Sequence, residues 1–578
     1  MTETTPTTPP AAPHPPLAGP PPVSPVPGGT IAGQPPARGR PSTATRHLNA
    51  AAYLDEEFCR YSLDMVYHQA RRVVAPSFGF DLATVLAHCL RARRIVLIRD
   101  AVIVGTLLLT LCMSPSGLVV GLIVLSGLNV ALATYRIFSE ISRQLRQGTP
   151  RAGARLIGRL LSLALGVAVL LFVAVVLLPL AAAATLVGSM NHGGAGLSNV
   201  LELAGLGAFL SISGLVGPPV VDALIRWHQT VLQGPGRPPV PVASTTRLDA
   251  IRVQQAGNAN VYSGYSPFIG SGVHLDTSGF ALRLIRAPKD FGDRSTEDSR
   301  EFDEVPFTAD ELVAHVGSRL GELTGGTTPE RRLPGLVVTD RIMVAGSEVA
   351  QLATFINPQY LPSIIRNPLD ATRHYLACQV YSWDGELVTS VYVHFALQGK
   401  SLYFETATCA LTPCRDEYRT ADDVRSLGVL PYLRCGVSGL VQAPSIVARA
   451  PVNLIKAGVR GLIRAVQPTT VALRRGYDYG ARTSVREYAT RNEIRNDFQR
   501  QDVEKYRKII VRRTMAAALD FLILKGVDSA EFRQRSNVLI NTGVYAGGNI
   551  GNIGDIRDSF NAETPANTET PASTPTSA

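Results

Sequence analysis

Four cysteines in the second half of the chain are the residues that come nearest to a metal-binding pattern. Cys409 and Cys414 lie close together, with Cys378 upstream and Cys435 downstream. Thiolates at short spacing are the ligands of structural zinc. However, Pro413 stands inside the closer pair, and Cys378 falls in the middle of a predicted strand. We therefore predict buried structural thiols and no metal or other cofactor.

Three ionisable side chains have positions that invite a chemical role. His394 lies on the polar side of a predicted strand, without a convincing nucleophile, so we do not predict a catalytic base there. Glu202 and Asp222 flank an apolar segment, and carboxylates inside a membrane are functional candidates. Both lie at segment ends, where Asp222 can pair with Arg226 four residues on, so we predict anchoring at the interface.

No sequence signature identifies a reaction. The chain contains no Walker motif, nucleophile elbow, H-E-x-x-H sequence or kinase signature. The glycine-rich stretch 255–272 lacks the Gly-Lys-Ser/Thr sequence and the strand–glycine–helix context of a phosphate loop. No catalytic residue is predicted, and a non-enzymatic function is favoured over an enzymatic one.

A basic segment provides a clearer binding signal. No Asp or Glu occurs between Val424 and Tyr477. Lys456, Arg460 and Arg464 fall on one half of a helical wheel, and apolar residues occupy the other half. This pattern predicts a helix that lies on an anionic membrane surface, where each cation contributes about 1 kcal/mol. The alternative is a helix with a core-facing apolar side and a solvated basic side.

Four long apolar segments precede this basic region. They cover residues 95–113, 118–135, 160–187 and 201–224. A transmembrane helix needs about 20 mostly apolar residues. Ser114-Pro115-Ser116-Gly117 is a turn signal between the first two segments. The sequence therefore predicts four transmembrane helices arranged as two hairpins.

The distribution of cations predicts the orientation of these segments. Arginines cluster before the first segment, between the second and third, and after the fourth, whereas the other two connections carry no cation. The positive-inside rule then places both termini in the cytoplasm of a multi-pass plasma-membrane protein. We see no cleavable signal peptide and expect the first segment to direct insertion. The small-residue pairs Gly117-x-x-x-Gly121 and Gly207-x-x-x-Ser211 suggest close helix packing.

The rest of the chain reads as a cytoplasmic α+β domain. Residues 375–411 alternate as a three-stranded antiparallel meander, and residues 484–525 read as one long charged helix. The predicted organisation is a disordered Pro-rich tail (1–46), a cytoplasmic helical segment (47–94), a four-span domain (95–226), an α+β domain (245–435), a basic membrane-surface segment (436–475), a helical region (484–540) and a Gly/Asn-rich, then disordered tail (541–578).

Three stretches carry a family resemblance. GNANVYSGYSPFIGSG, RHYLACQVYSWDGELVTSVYVHFAL and NTGVYAGGNIGNIG resemble stretches of uncharacterised multi-pass membrane proteins of actinobacteria. An arginine-, alanine- and glycine-rich composition, with a net charge of +10, fits a GC-rich genome. The resemblance covers most of residues 48–554 and implies the same architecture, but it implies no activity and no site residues.

Three functions remain open at this point. The first is an integral membrane protein that anchors a cytoplasmic binding, scaffold or signalling domain at the inner leaflet. The second is an oligomeric channel or transporter, and the third is a membrane-bound enzyme. The expected partners are a bilayer with an anionic inner leaflet, a cytoplasmic protein and further copies of the chain, but not nucleic acid.

Overall fold

The structure is a computed structural model. It describes residues 40–147, 197–288, 296–325, 332–347, 354–423, 428–466, 478–491 and 493–542, together with the single residues 167 and 330. The predicted terminal tails and the third predicted apolar segment lie largely or wholly outside the described residues.

The α-helices of the described residues fall into a long apolar group and a shorter group. They are α1 (Thr43–Leu54), α2 (Glu56–Ser62), α3 (Leu82–Met113), α4 (Pro115–Gln147), α5 (Leu197–Val231), α6 (Thr246–Gln254), α7 (Ala309–Gly325), α8 (Leu361–Arg366), α9 (Val429–Val466), α10 (Val485–Ala489), α11 (Asp497–Leu524) and α12 (Ala530–Thr542). A π-helical turn, Leu63–Tyr67, extends α2. Short 3₁₀ turns connect several strands and helices.

Six strands form one mixed sheet. They are β1 (Ala259–Tyr262), β2 (Val273–Arg283), β3 (Leu336–Ala345), β4 (Thr372–Ser382), β5 (Leu387–Gln398) and β6 (Ser401–Leu411), in the order β1-β3-β4-β5-β6-β2. Only the β1–β3 pair is parallel. The predicted meander is therefore present as β4-β5-β6, and its two turns use left-handed backbone at Asp384 and Lys400.

Two apolar cores stabilise the part of the chain around the sheet. The larger one lies between one face of the sheet and helices α7, α11 and α12, and includes Leu312, Phe404 and Ile510. A second core joins α1, α2 and the first turns of α3, and includes Leu48 and Leu86. The first half of α3 thus belongs to the folded domain, and Asp81 caps its first turn through the Ala83 N–H.

The long helices α3, α4, α5 and α9 pack together as a bundle. Ile103, Leu125, Leu215 and Val447, one from each helix, share a buried cluster. The predicted small-residue pairs face each other across α4 and α5. A Cβ added at Gly117 would lie 2.5 Å from the Gly207 carbonyl carbon, and one at Gly121 would lie 2.6 Å from the Ser211 Cβ. Small residues allow this close approach of the two backbones.

The prediction of four transmembrane helices arranged as two hairpins is wrong. In the described residues, only the helical stretches Leu82–Met113 and Gly205–Val231 are long and apolar enough to cross a membrane. The tight connection at Ser114 exists, but the apolar part of α4, Gly117–Ala131, is shorter than the required span of about 20 residues. Helix α9 fills the remaining side of the bundle, and hydropathy counting did not assign it there.

Two further predictions need correction. Residues 484–525 do not form one helix, because the chain is extended at Thr490 and a new helix begins after Asn496. The Asn496 side chain accepts hydrogen bonds from the Phe498 and Gln499 N–H groups, which is the reason for the new start. Helix α1 also begins inside the predicted tail (1–46), because Ser42 caps the helix that starts at Thr43.

Candidate membrane-surface site

The C-terminal half of helix α9 exposes its apolar side. Ile455, Val459 and Leu462 are 66%, 51% and 67% exposed. Lys456 and Arg460 line a cavity against α2 and α3, and Lys456 is also exposed to solvent. A helix with a core-facing apolar side would bury Ile455, Val459 and Leu462 instead.

The structure brings together only some of the predicted site residues. Lys456 and Arg460 share the cavity, and Arg460 lies 3.6 Å from the Asp64 carboxylate. Asp222 is buried in α5. Arg464 and Glu202 lie within α9 and α5, but their side chains fall outside the described part of the structure.

A network of buried charges links the helices beneath the cavity. Arg99 donates to Asp100 (Nε–Oδ1, 2.9 Å) and to Asp222 (Nη1–Oδ2, 2.9 Å). Arg226 completes the predicted pair with Asp222, at 3.4 Å. The amide of Asn453 donates to Asp100 at 3.1 Å and thereby ties α9 to α3. Two arginines and two aspartates make this core of the network neutral, and pairing is what makes buried charge tolerable.

The cationic cavity lies next to this network, where α2, α3, α5 and α9 meet. Its volume is about 140 Å³. Five of its lining residues are cationic and two are acidic: Arg60, Arg93, Arg226, Lys456, Arg460, Glu56 and Asp100. Leu63, Val96 and Leu97 supply apolar wall. With two negative charges against five positive ones, the cavity favours an anion.

Sequence reasoning found α9 but missed most of the cavity. In the sequence, Arg93 counts only as one of the cations that orient the first apolar segment. No sequence pattern marks Arg60, Glu56 or Asn453. Cations that are far apart in the sequence give no local signal, because only the packing of α2 and α3 against α9 brings them together. The long basic stretch without acids around Lys456 was the one signal that pointed to this place.

A buried histidine joins α1 to the sheet domain. His47 contacts the carboxylates of Glu386 (Nδ1–Oε1, 2.7 Å) and Asp422 (Nε2–Oδ2, 2.6 Å). Burial would lower the pKa of His47, but these two hydrogen bonds and the two negative charges raise it above its usual value. Burial would likewise raise the pKa of Asp422, yet His47 and Arg46 lower it to about 2. We call His47, Glu386 and Asp422 the His47 cluster.

Glu487 of the same chain holds the glycine-rich loop after β1 in place. The N–H groups of Gly270 and Gly272, both with positive φ, donate to Glu487 Oε1 at 2.7 and 3.0 Å. Burial raises the pKa of Glu487, against the opposing effect of these hydrogen bonds. A carboxylate therefore already occupies the backbone donors that a phosphate would need.

A larger groove of about 690 Å³ lies between α7, α8 and β3. Its ionisable lining residues are Asp310 and Asp340. Asp310 pairs with Arg366 at 2.7 Å, and Asp340 accepts from His374 at 2.8 Å. The groove thus offers apolar surface and two carboxylates with partners, without the converging acids and bases of a catalytic site.

The cysteines considered as metal ligands belong to no group of three or more potential ligands within the described residues. Cys378, Cys409 and Cys414 are buried, as predicted, whereas Cys435 is partly exposed. Burial raises the pKa of the Cys378 thiol to about 12, which favours the protonated, unreactive form. His394 is also buried, with Nδ1 at 2.7 Å from the His374 carbonyl oxygen, and burial lowers its pKa.

Part of the chain is similar to a known protein family. Residues 277–555 match the family model of the AbeC-like domain. The matched region begins in β2 and includes α9, so it contains both most of the sheet and the helix that carries Lys456 and Arg460. No curated protein and no solved structure shows significant similarity to the chain. Helices on the N-terminal side of the matched region supply the rest of the cationic cavity.

Proposed function

We propose that this protein is an integral membrane protein that holds its α+β domain at the inner leaflet, where the domain serves as a binding or scaffold module for cytoplasmic partners. The observation that carries this proposal is the exposed apolar side of α9. Its apolar side is exposed along with the apolar sides of α3 and α5, which include Leu109 and Phe209. Contiguous exposed apolar surface of this kind indicates contact with lipid or with a partner.

Orientation follows from where the cations lie. The arginine-bearing ends of α3 and α5 lie at the same end of the bundle, next to α1 and α2: Arg93 is 4.0 Å from Asp64, and Arg226 is 3.7 Å from Glu56. The domain lies at this end, because Arg46 of α1 contacts the Gln233 carbonyl oxygen just after α5. The positive-inside rule therefore supports a cytoplasmic domain.

The two alternative functions receive less support. A channel or transporter would be favoured by intramembrane charges that face a pathway, but Arg99, Asp100 and Asp222 are paired with one another. An enzyme would be favoured by converging acids and bases in a pocket. Asp310 and Asp340, the carboxylates of the large groove, are each paired.

Membrane extraction and protease protection together test this proposal. We expect the full chain to stay in the membrane pellet after alkaline carbonate washing. Trypsin should cleave the exposed Arg252 region in inside-out vesicles but not in intact spheroplasts. A protein released by carbonate, or a domain digested from outside the cell, would overturn the proposal.

A further inference from the structure

We propose that the cationic cavity binds the phosphate group of an anionic phospholipid, with the acyl chains lying along the exposed apolar side of α9. This inference rests on the proposed membrane location and names the ligand of the site at the membrane surface. It is argued from the size, charge, hydrogen-bonding capacity and surroundings of the cavity.

The size of the cavity fits a small headgroup fragment. The cavity volume of about 140 Å³ is well above the roughly 10–15 Å³ that one water needs, so the cavity admits a phosphate group. A compact anion, or the compact end of a larger molecule, can therefore enter it.

The protein balances the charges of the cavity only in part. Of its two acids, Asp100 already accepts from Arg99 and Asn453 inside the network. Glu56 lies 3.7 Å from Arg226, a distance typical of a loose ion pair. Beside the lining, the Asp64 carboxylate lies 3.6 Å from Arg460 and 4.0 Å from Arg93, so these two cations share one negative charge. The lining thus keeps a net positive charge. Arginines recognise phosphate oxygens through several N–H donors held in a fixed plane.

One buried donor beside the cavity makes an ion pair but no hydrogen bond. The Nε of Arg226 lies 3.4 Å from Asp222 Oδ1, and in the described structure neither atom makes a hydrogen bond. The Arg226 side chain is only 16% exposed, so water satisfies it poorly. An anion in the cavity would add a hydrogen-bond acceptor beside the ion pair with Asp222.

The surroundings of the cavity distinguish a lipid from a free phosphate ion. Ile455 and Val459 are exposed on the same helix as Lys456 and Arg460, and Val96 and Leu97 line the cavity from α3. Charged headgroup contacts and exposed apolar surface therefore adjoin within one turn of α9. This is the arrangement that an amphipathic phospholipid needs, and a soluble anion would leave the apolar side unused.

The test measures thermal stabilisation of the purified full chain in detergent on addition of defined lipids. We expect phosphatidylglycerol to raise the unfolding midpoint and zwitterionic phosphatidylcholine to have little effect. The double variant Lys456→Gln/Arg460→Gln should bind phosphatidylglycerol about 25-fold more weakly, because each cation contributes about fivefold. Both side chains lie at the accessible side of the cavity, so the lipid-free midpoint should stay close to that of the wild-type protein.

The matched control is Arg434→Gln/Arg449→Gln, which removes the same two charges from exposed positions of the same helix outside the cavity. It should retain the response to phosphatidylglycerol. An equal loss in this control would reduce the effect to general attraction between charges and overturn the cavity assignment. Equal stabilisation by inorganic phosphate would assign the site to a soluble anion and overturn the lipid assignment.

Failure of the lipid-binding inference can be distinguished from failure of the proposed membrane function. A protein that resists carbonate extraction but ignores phosphatidylglycerol would overturn only this inference. A protein that is soluble without detergent would overturn the membrane location itself.

Discussion

The helical bundle and the sheet domain differ in the surface that their helices expose. On the sheet domain, Leu312 of α7 is buried, while ion pairs such as Arg319–Glu322 of the same helix lie at the surface. In the bundle, α3 exposes Leu109 and buries Asp100 in a charge network. An exposed apolar side of this kind is what the proposed membrane location requires, because a surface in contact with lipid is apolar.

The largest expected effect comes from breaking the buried network. Arg99→Met should destabilise the protein by about 3–5 kcal/mol, because Asp100 and Asp222 lose their principal cation while still buried. The free energy of unfolding in detergent measures this loss. Arg319→Met, which breaks an exposed ion pair in the sheet domain, is the control and should cost about 1 kcal/mol or less. Equal effects of the two variants would show that the network does not hold the bundle together.

A second experiment compares exposed apolar residues in the two regions. Leu109 of α3 is 53% exposed, and Leu369 before β4 is 88% exposed. Leu109→Asp should impair membrane insertion at a cost of about 3 kcal/mol, because the carboxylate must enter hydrocarbon. Leu369→Asp should be neutral, because it already faces water. The fraction of protein that resists carbonate extraction distinguishes them, and normal insertion of Leu109→Asp would contradict lipid contact at α3.

Helix packing inside the bundle predicts a smaller effect. Gly117→Leu should lower stability by about 1–3 kcal/mol through overpacking, since its new Cβ would collide with the backbone of α5. Gly127→Leu is the control on the same helix, because no atom lies within 4 Å of a Cβ built there. The unfolding midpoint in detergent is the readout. Similar midpoints for the two variants would rule out the close α4–α5 approach.

The smallest effect concerns the pH dependence of the attachment between α1 and the sheet. The raised pKa of His47 gives stability that is fully present below about pH 6.5 and is lost as pH rises through the folded-state pKa. The lowered pKa values of Glu386 and Asp422 give stability that is present above about pH 4.5 and lost as pH falls through the folded-state values. This contribution is therefore greatest between about pH 4.5 and 6.5.

The variant His47→Gln tests this assignment. The wild-type protein should lose stability on the order of 1 kcal/mol as pH rises above about 6.5. The variant should not show this loss. Thermal midpoints measured across this range provide the comparison. The control His228→Gln, at an exposed histidine that contacts Tyr432, should keep the wild-type slope. An unchanged slope in His47→Gln would assign the pH dependence elsewhere.

Local patterns in the sequence were sufficient for individual elements. Alternation over residues 375–411 predicted the meander, small-residue spacing predicted close helix packing without saying which helices meet, and the acid-free basic stretch predicted the basic helical segment in α9. Each of these patterns lies within a few turns or strands of the sequence. Short-range periodicity is enough to assign them.

Long-range packing decided what these elements became. Hydropathy predicted four membrane-crossing helices. It cannot distinguish an apolar surface that faces lipid from one that faces another helix. Helix α9 packs against the apolar surfaces of α3, α4 and α5. The charge network and the cationic cavity join residues as distant as Arg60, Arg99 and Lys456. Sequence alone established that the chain has apolar helices and a basic face. Only the tertiary structure decided that Lys456 and Arg460 meet cations of α2 and α3 at one cavity while the apolar side of α9 stays exposed, because both depend on which helices meet.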